Sequence, residues 1–122
     1  MDTISKILVA LVAIEHVYIL YMEMFLWTTP SVRKNFGTTE TFANESKALA
    51  ANQGLYNGFL AAGLVWGVIN PTPAFGHQIQ IFFLVCVIIA AIYGSITAKR
   101  SILYVQGGPA LIALIVVLVA GG

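Results

Sequence analysis

Charged residues are scarce in this 122-residue chain, at 9% of the sequence, against about 25% in an average soluble domain. Hydrophobic residues make up 59% of the chain, and its mean hydropathy is +0.89. This balance excludes an ordinary soluble domain and predicts an integral membrane protein, whose first partner is the lipid bilayer. The net charge of +1 offers no strongly basic surface, so no nucleic-acid partner is expected.

Cysteine and histidine are also rare, which restricts the chemistry that the chain can support. The single cysteine, Cys86, lies in an apolar run and has no second cysteine with which to form an intrachain disulfide. The two histidines, His16 and His77, are expected at different depths, so neither a zinc site nor a haem with two histidine ligands is predicted. We find no glycine-rich phosphate loop and no Ser/His/Asp arrangement, and we predict no cofactor and no metal.

Long apolar runs are abundant, and about 20 residues suffice to cross a bilayer. We therefore predict an all-α fold, an integral membrane four-helix bundle that forms one transmembrane domain over residues 1–122. In the long first loop, Pro30 and Gly37 suit the two ends of a short interfacial helix over Ser31–Phe36. The four predicted spans, joined by short loops, are approximately residues 4–27, 46–69, 76–97 and 103–120.

Basic residues are distributed unevenly between the two sides of the predicted bundle. Lysine and arginine near helix ends favour the cytoplasmic side of a membrane. We therefore predict a multi-pass protein of the cell membrane, that is, an inner or plasma membrane. Loops 28–45 and 98–102 are predicted to be cytoplasmic, and both termini are predicted to lie outside. The cytoplasmic group is Arg33, Lys34, Lys47, Lys99 and Arg100, against Lys6 alone on the other side.

Three ionisable residues interrupt the first predicted span: Glu15, His16 and Glu23. At a rise of 1.5 Å per residue, Glu15 and His16 lie near the middle of the bilayer, and Glu23 lies about 12 Å closer to the cytoplasm. An intramembrane charge costs about 2.5–3.5 kcal/mol on insertion scales, so these side chains are predicted to face the interior of the bundle. For Glu23 alone, an alternative is extension to the nearby interface.

Amide and tyrosine side chains accompany these ionisable groups at similar predicted depths. Asn52 and Tyr56 form one i,i+4 pair in the second span, and Gln53 and Asn57 form another. The alternative to a binding role is that such side chains only hydrogen-bond helices to one another. The predicted ligand-binding residues are Glu15, His16, Glu23, Asn52, Gln53, Tyr56, Asn57 and Gln106, and Glu15 and His16 are also the candidate acid–base catalysts.

Small residues and one proline predict how the helices pack. The GxxxG pairs Gly54/Gly58 and Gly63/Gly67 allow close helix approach, within the chain in the first interpretation and in a homodimer in the alternative. Pro109 has no N–H to donate to the carbonyl group of Val105, which predicts a kink or loosened turn. The alternative there is a helix that simply begins at Pro109.

Four blocks of this sequence, EHVYILYMEMFLW, NQGLYNGFLAAG, AAIYGS and QGGPALIAL, carry a resemblance to a known family. They resemble the small four-helix membrane proteins of the domain of unknown function 1304 family, over nearly the whole chain. The resemblance implies a four-helix membrane fold and supplies no substrate. It points to the predicted ligand-binding residues and to Pro109.

Three functions remain open from the sequence. The first is a buried polar pocket that binds or carries a small amphipathic molecule, with proton coupling through Glu15 and His16. The second is a membrane enzyme in which these two residues perform acid–base chemistry on a lipid-like substrate. The third is an accessory subunit of a membrane complex whose polar face meets a partner.

Overall fold

Helices form wherever the apolar runs of the sequence are uninterrupted, and the resulting fold is all-α, as predicted. The computed structural model describes residues 3–121, and no strand occurs among them. The elements in chain order are α1 (Thr3–Phe25), α2 (Pro30–Phe36), α3 (Glu40–Ile69), α4 (Pro73–Thr97), a π-helical segment (Leu103–Gly107) and α5 (Gly108–Gly121).

The short helix expected in the first loop is confirmed as α2. Pro30 lies in its first turn, where the missing N–H costs no hydrogen bond. Gly37 ends the helix in the left-handed conformation with φ of 68°, and its N–H caps the carbonyl groups of Arg33 and Lys34. A residue with a side chain adopts this conformation at a cost, which explains why glycine stands at this position.

The second long helix, α3, begins at Glu40 and not near residue 46 as predicted. Thr39 accounts for the difference, because its hydroxyl oxygen accepts a hydrogen bond of 3.1 Å from the N–H of Phe42. A threonine cap and an acidic residue in the first turn both stabilise a helix N-terminus. The first loop is therefore mostly helical.

Three helical stretches among the described residues are long and apolar enough to cross a membrane: α1, α4 and residues 103–120. The fourth predicted span lies in α3, which is longer than these three but less apolar. Asn52, Gln53 and Asn57 lower its mean hydropathy. A membrane crossing by α3, and with it the predicted orientation of the chain, stays a prediction.

The loosened turn expected before Pro109 is present as the π segment, and α5 follows it directly. A π-helix pairs each carbonyl group with the N–H five residues on, which is a common accommodation where one residue is inserted in a helix. Gly107 is buried in this segment, and a Cβ added to it would lie 3.2 Å from the Cβ of Ala91. Glycine thus allows the π segment to lie close to α4.

The chain forms two compact units, the first from residues 3–15 and 60–121 and the second from residues 16–59. In the first unit, parts of α1, α3, α4 and α5 share one apolar core. Gly76 of α4 lies so close to α3 that an added Cβ would be 2.6 Å from the carbonyl oxygen of Gly67. The core residues are Val9, Val12, Ala13, Ala61, Leu64, Leu84, Val87, Ala110, Ala113 and Val117.

The second unit has a smaller core, in which α2 covers the end of α1. Ile19 and Met22 of α1 pack with Val32 of α2, and Leu26, Trp27 and Phe36 surround them. The indole N–H of Trp27 donates a hydrogen bond of 3.0 Å to the hydroxyl group of Ser46. This bond ties the end of α1 to the first turns of α3.

Candidate functional site

A groove in the first unit contains the acidic residue that the sequence places in the middle of α1. Glu15 lies about halfway along this 23-residue helix, and it is half-buried. Residues spaced by three or four positions share one face of a helix. Leu11 and Val12 follow Leu8 by three and four positions, and Glu15 follows them at the same spacing. They form one wall of the groove, and Pro109 and Ile112 of α5 contribute the other.

The groove is small, open along one side and almost entirely apolar. Its volume is about 340 Å³, near the lower end of the range of about 300–1,000 Å³ for ligand pockets. Leu11 and Ile112 at its edges are more than half exposed, so their side chains are accessible from outside the chain. Glu15 is the single ionisable residue among the six that line it. This composition suits a molecule with an apolar body and one polar group.

The second unit holds another acidic residue of α1 in a different environment. Glu23 is 8% exposed, and the side-chain N–H of Asn57 donates a hydrogen bond of 2.7 Å to its Oε1. This burial agrees with the prediction that Glu23 faces the protein interior. The pair joins α1 to α3 through one neutral and one acidic side chain.

Two glycines bring α1 and α3 close together beside this pair. A Cβ on Gly54 would lie 2.7 Å from the Cγ of Met24 and 3.1 Å from the carbonyl oxygen of Leu20. A Cβ on Gly58 would lie 2.6 Å from the Cδ1 of Leu20. The Gly54/Gly58 pair therefore serves helix packing within the chain, which confirms the first interpretation of this motif.

The other polar residues of the NQGLYNG block do not follow Asn57 into the interior. Asn52, Gln53 and Tyr56 are exposed, and their convergence with Asn57 on one pocket stays a prediction. Helical geometry explains the exposure of Tyr56, because at 100° per residue Tyr56 lies about 180° from the midpoint of Gly54 and Gly58. The glycines set the packing face, and of the four polar residues Asn57 is nearest to it.

The remaining predicted residues lie in both units. His16 is 1% exposed in the second unit, in agreement with the predicted interior position. Gln106 is half-buried in the π segment of the first unit. A single pocket made of all eight predicted residues involves both units and stays a prediction, as does acid–base catalysis by Glu15 and His16.

Two polar residues of α4 that the sequence analysis did not include in the site have defined contacts. Gln80 is fully buried, and its side-chain N–H donates a hydrogen bond of 2.9 Å to the carbonyl oxygen of Gly67. A ring nitrogen of His77 lies 3.0 Å from the carbonyl oxygen of Val117. Gln80 follows Gly76 by one helical turn, which is the sequence signal for a position facing α3. Both residues hold helices together and do not line the groove.

The side chains that commonly bind metal ions are dispersed in the described part of the chain. Among residues 3–121, no group of three or more His, Cys, Asp or Glu side chains is close enough to hold a metal ion. Cys86 is a partly buried free cysteine of α4. The candidate functional site thus consists of two parts: the groove that contains Glu15, and the hydrogen-bonded pair Glu23–Asn57.

Comparison with known proteins identifies relatives of this sequence. The model of a family described as "Protein of unknown function (DUF1304)" matches residues 10–118, a range that contains all eight predicted site residues. The uncharacterized protein YpaA of Lactococcus lactis subsp. lactis (strain IL1403) is 34% identical over 117 residues, which cover 94% of this chain and 97% of the relative. No solved structure matches the chain.

Proposed function

The chain belongs to the DUF1304 family of proteins of unknown function, and we propose that it is a multi-pass membrane protein that binds a small amphipathic molecule. The binding site is the groove between α1 and α5 in the first unit. The Glu15 carboxyl group contacts the polar end of the ligand, and the apolar groove walls contact its hydrophobic part. The observation that carries this proposal is the position of Glu15 in an otherwise apolar groove.

The energetic cost of Glu15 supports a role beyond packing. A charged residue near the centre of a membrane helix costs about 2.5–3.5 kcal/mol on insertion scales, whereas an apolar residue there favours insertion. Ligand sites in proteins are typically apolar cavities with a few polar groups that orient the ligand. Anchoring a helix in a membrane does not require an acid at this position, and we assign the acid to a ligand.

Binding at this position is also the first step of carriage across the membrane. A carboxyl group can release a proton when a ligand binds and take it up again when the ligand leaves, which would couple the two movements. Proton-coupled transport is thus an extension of the binding proposal. Flux of the bound molecule in liposomes, measured with and without a pH gradient, tests this extension separately.

Native mass spectrometry of gently purified protein tests the binding proposal. We expect a small molecule bound to the wild type and at least a tenfold lower bound fraction in Glu15→Gln. Ile112→Trp, which fills the groove with a larger side chain, should lower binding equally. Leu118→Trp is the matched control, because this exposed residue lies on the same helix and does not line the groove.

The result has two outcomes that would overturn the proposal. One is a wild-type protein that retains no small molecule when it is folded and gently purified. The other is a bound molecule whose occupancy is the same in Ile112→Trp as in the wild type, because the molecule would then occupy another place. Circular dichroism of each variant establishes that it has the wild-type helix content.

A further inference from the structure

We infer that the groove selects amphipathic cations, and specifically that its ligand carries a protonated aliphatic amine. This inference rests on the proposed function and names the chemical class of its ligand. It follows from three properties of the groove: the sign of its charge, its hydrogen-bonding capacity and its shape.

The charge of the groove is of one sign. Glu15 supplies its one ionisable side chain, and no basic residue is among the six that line it. Lys6, the lysine of α1, lies about 14 Å from Glu15 along the helix at 1.5 Å per residue. Lys6 instead lines a separate cavity of about 80 Å³ with Gly67 and Pro73. An anionic ligand would therefore meet a carboxyl group of like charge in a groove that no basic side chain lines.

The hydrogen-bonding capacity of the groove favours a ligand that donates. The side chains of leucine, valine and isoleucine offer no polar atom, and Pro109 has no backbone N–H. An ionised carboxyl group is an acceptor only, whereas an alkylammonium group has three N–H donors and no acceptor. An amine similar to that of lysine, with an ordinary pKa of about 10.4, is protonated at neutral pH.

The shape of the groove favours a single short apolar chain. A volume of about 340 Å³ lies near the lower end of the range for ligand pockets, which suits one short chain with its head group. The exposed side chains of Leu11 and Ile112 continue the apolar surface at the edges of the groove. A longer tail can lie along these side chains and leave the groove sideways. A bulky ligand with several polar groups does not fit this arrangement.

Three molecules with the same tail and different head groups test the inference: octylamine, 1-octanol and octanoate. Their binding to the full-length protein in a nonionic detergent is measured by native mass spectrometry at increasing concentrations. We expect octylamine to bind wild-type protein at least tenfold more tightly than either of the others. Glu15→Gln should weaken octylamine binding at least tenfold and leave 1-octanol binding unchanged within about twofold.

Two further variants separate the role of the Glu15 charge from general effects of mutation. Glu45→Gln makes the same change of charge at an exposed position of α3, and it should leave octylamine binding unchanged. Glu15→Asp keeps the acid and should retain a preference for octylamine. If Glu15→Gln fails to fold, the affinities of the wild type and of Glu15→Asp for octylamine, 1-octanol and octanoate still test the inference.

The outcomes distinguish this inference from the proposed function. If all three molecules bind equally and Ile112→Trp abolishes their binding, the inference that the groove selects cations is wrong. The proposal that the groove binds amphiphiles would still hold. Octylamine binding that Ile112→Trp does not change would overturn both, because the amine would then bind elsewhere. Failure of the wild type to bind octylamine would overturn the inference, and the molecule retained on purification would still test the proposed function.

Discussion

Two acidic residues of the same helix have different environments and, on our interpretation, different roles. Glu23 accepts a hydrogen bond from Asn57 and is buried where α1 and α3 approach closely. Glu15 is half-buried and lines an apolar groove with Pro109 and Ile112. A buried carboxyl group with an amide donor stabilises helix packing, and a carboxyl group that lines an apolar groove can bind the polar end of a ligand. The residue type alone does not distinguish these roles.

Asn57→Ala tests the structural role of the Glu23 contact. The change removes the donor and leaves the buried Oε1 of Glu23 without this hydrogen bond, at an expected cost of about 1–3 kcal/mol. The midpoint of thermal unfolding in detergent should therefore fall clearly. Asn52→Ala is the matched control, since Asn52 is exposed on the same helix and its removal should change the free energy of unfolding by less than about 0.5 kcal/mol. Equal effects of the two variants would contradict this role.

The sequence identified part of this site by helical periodicity. His16 and Glu23 are seven residues apart and were both predicted to face the interior, and both are buried. The same reasoning grouped Asn52 and Tyr56 with them, and these two side chains are exposed in the folded chain. Four polar residues within six positions cover too wide an arc for one face. The choice among them depends on Gly54 and Gly58, whose contacts are known only from the folded chain.

At the scale of the elements, small residues set the closest helix approaches. Gly76 of α4 lies against the backbone of Gly67 in α3, and Gly54 lies against the backbone of Leu20 in α1. At these positions a methyl group meets backbone atoms, which cannot move aside as the end of a flexible side chain can. Gly108, by contrast, has no atom within 4 Å of its would-be Cβ. Replacement of glycine by alanine should therefore destabilise the protein at Gly76 and should not destabilise it at Gly108.

Gly76→Ala and Gly108→Ala form a matched pair that tests this difference. The added Cβ of Gly76→Ala would lie 2.6 Å from the carbonyl oxygen of Gly67, so α3 and α4 must separate and the variant should lose about 1–3 kcal/mol of stability. Gly108→Ala meets no such contact and should be neutral or gain up to about 1 kcal/mol from the better helix propensity of alanine. Thermal unfolding of both variants gives the comparison. A stable Gly76→Ala protein would refute the close approach.

The elements themselves were largely predictable from the sequence, and the exceptions have local causes. Apolar runs predicted α1, α4 and α5, and the Pro30 and Gly37 positions predicted α2. The start of α3 was predicted too late, because hydropathy was followed and the cap at Thr39 was not. The proline at position 109 predicted a loosened turn, and the structure gives this turn a π-helical form over Leu103–Gly107.

At the scale of the whole molecule, the helices differ in how well they suit a membrane crossing. Within residues 3–121, three stretches satisfy the length and hydropathy that a span requires, and α3 falls short because of its polar residues. Polar residues that are bonded within the protein do not prevent a helix from crossing, and Asn57 is bonded in this way. We therefore keep the prediction that α3 crosses, with loops 28–45 and 98–102 on the cytoplasmic side.

Labelling of single cysteines tests this orientation in intact cells. In a Cys86→Ser background, Ser31→Cys and Ser101→Cys should be protected from a membrane-impermeant maleimide, and Thr72→Cys should be labelled. All three positions are exposed in the folded chain, so protection reports the membrane and not burial. Permeabilised cells should label all three. Equal labelling of Ser31→Cys and Thr72→Cys in intact cells would show that α3 does not cross.

The chain has two tryptophans, and they are divided between the two compact units. Trp27, bonded to Ser46, belongs to the unit of residues 16–59, whereas Trp66, packed edge-on against Phe75, belongs to the other. The variants Trp27→Phe and Trp66→Phe each keep one indole, so fluorescence can follow the unfolding of each unit without an added label. Coincident midpoints would mean one cooperative transition, and separate midpoints would rank the two units in stability.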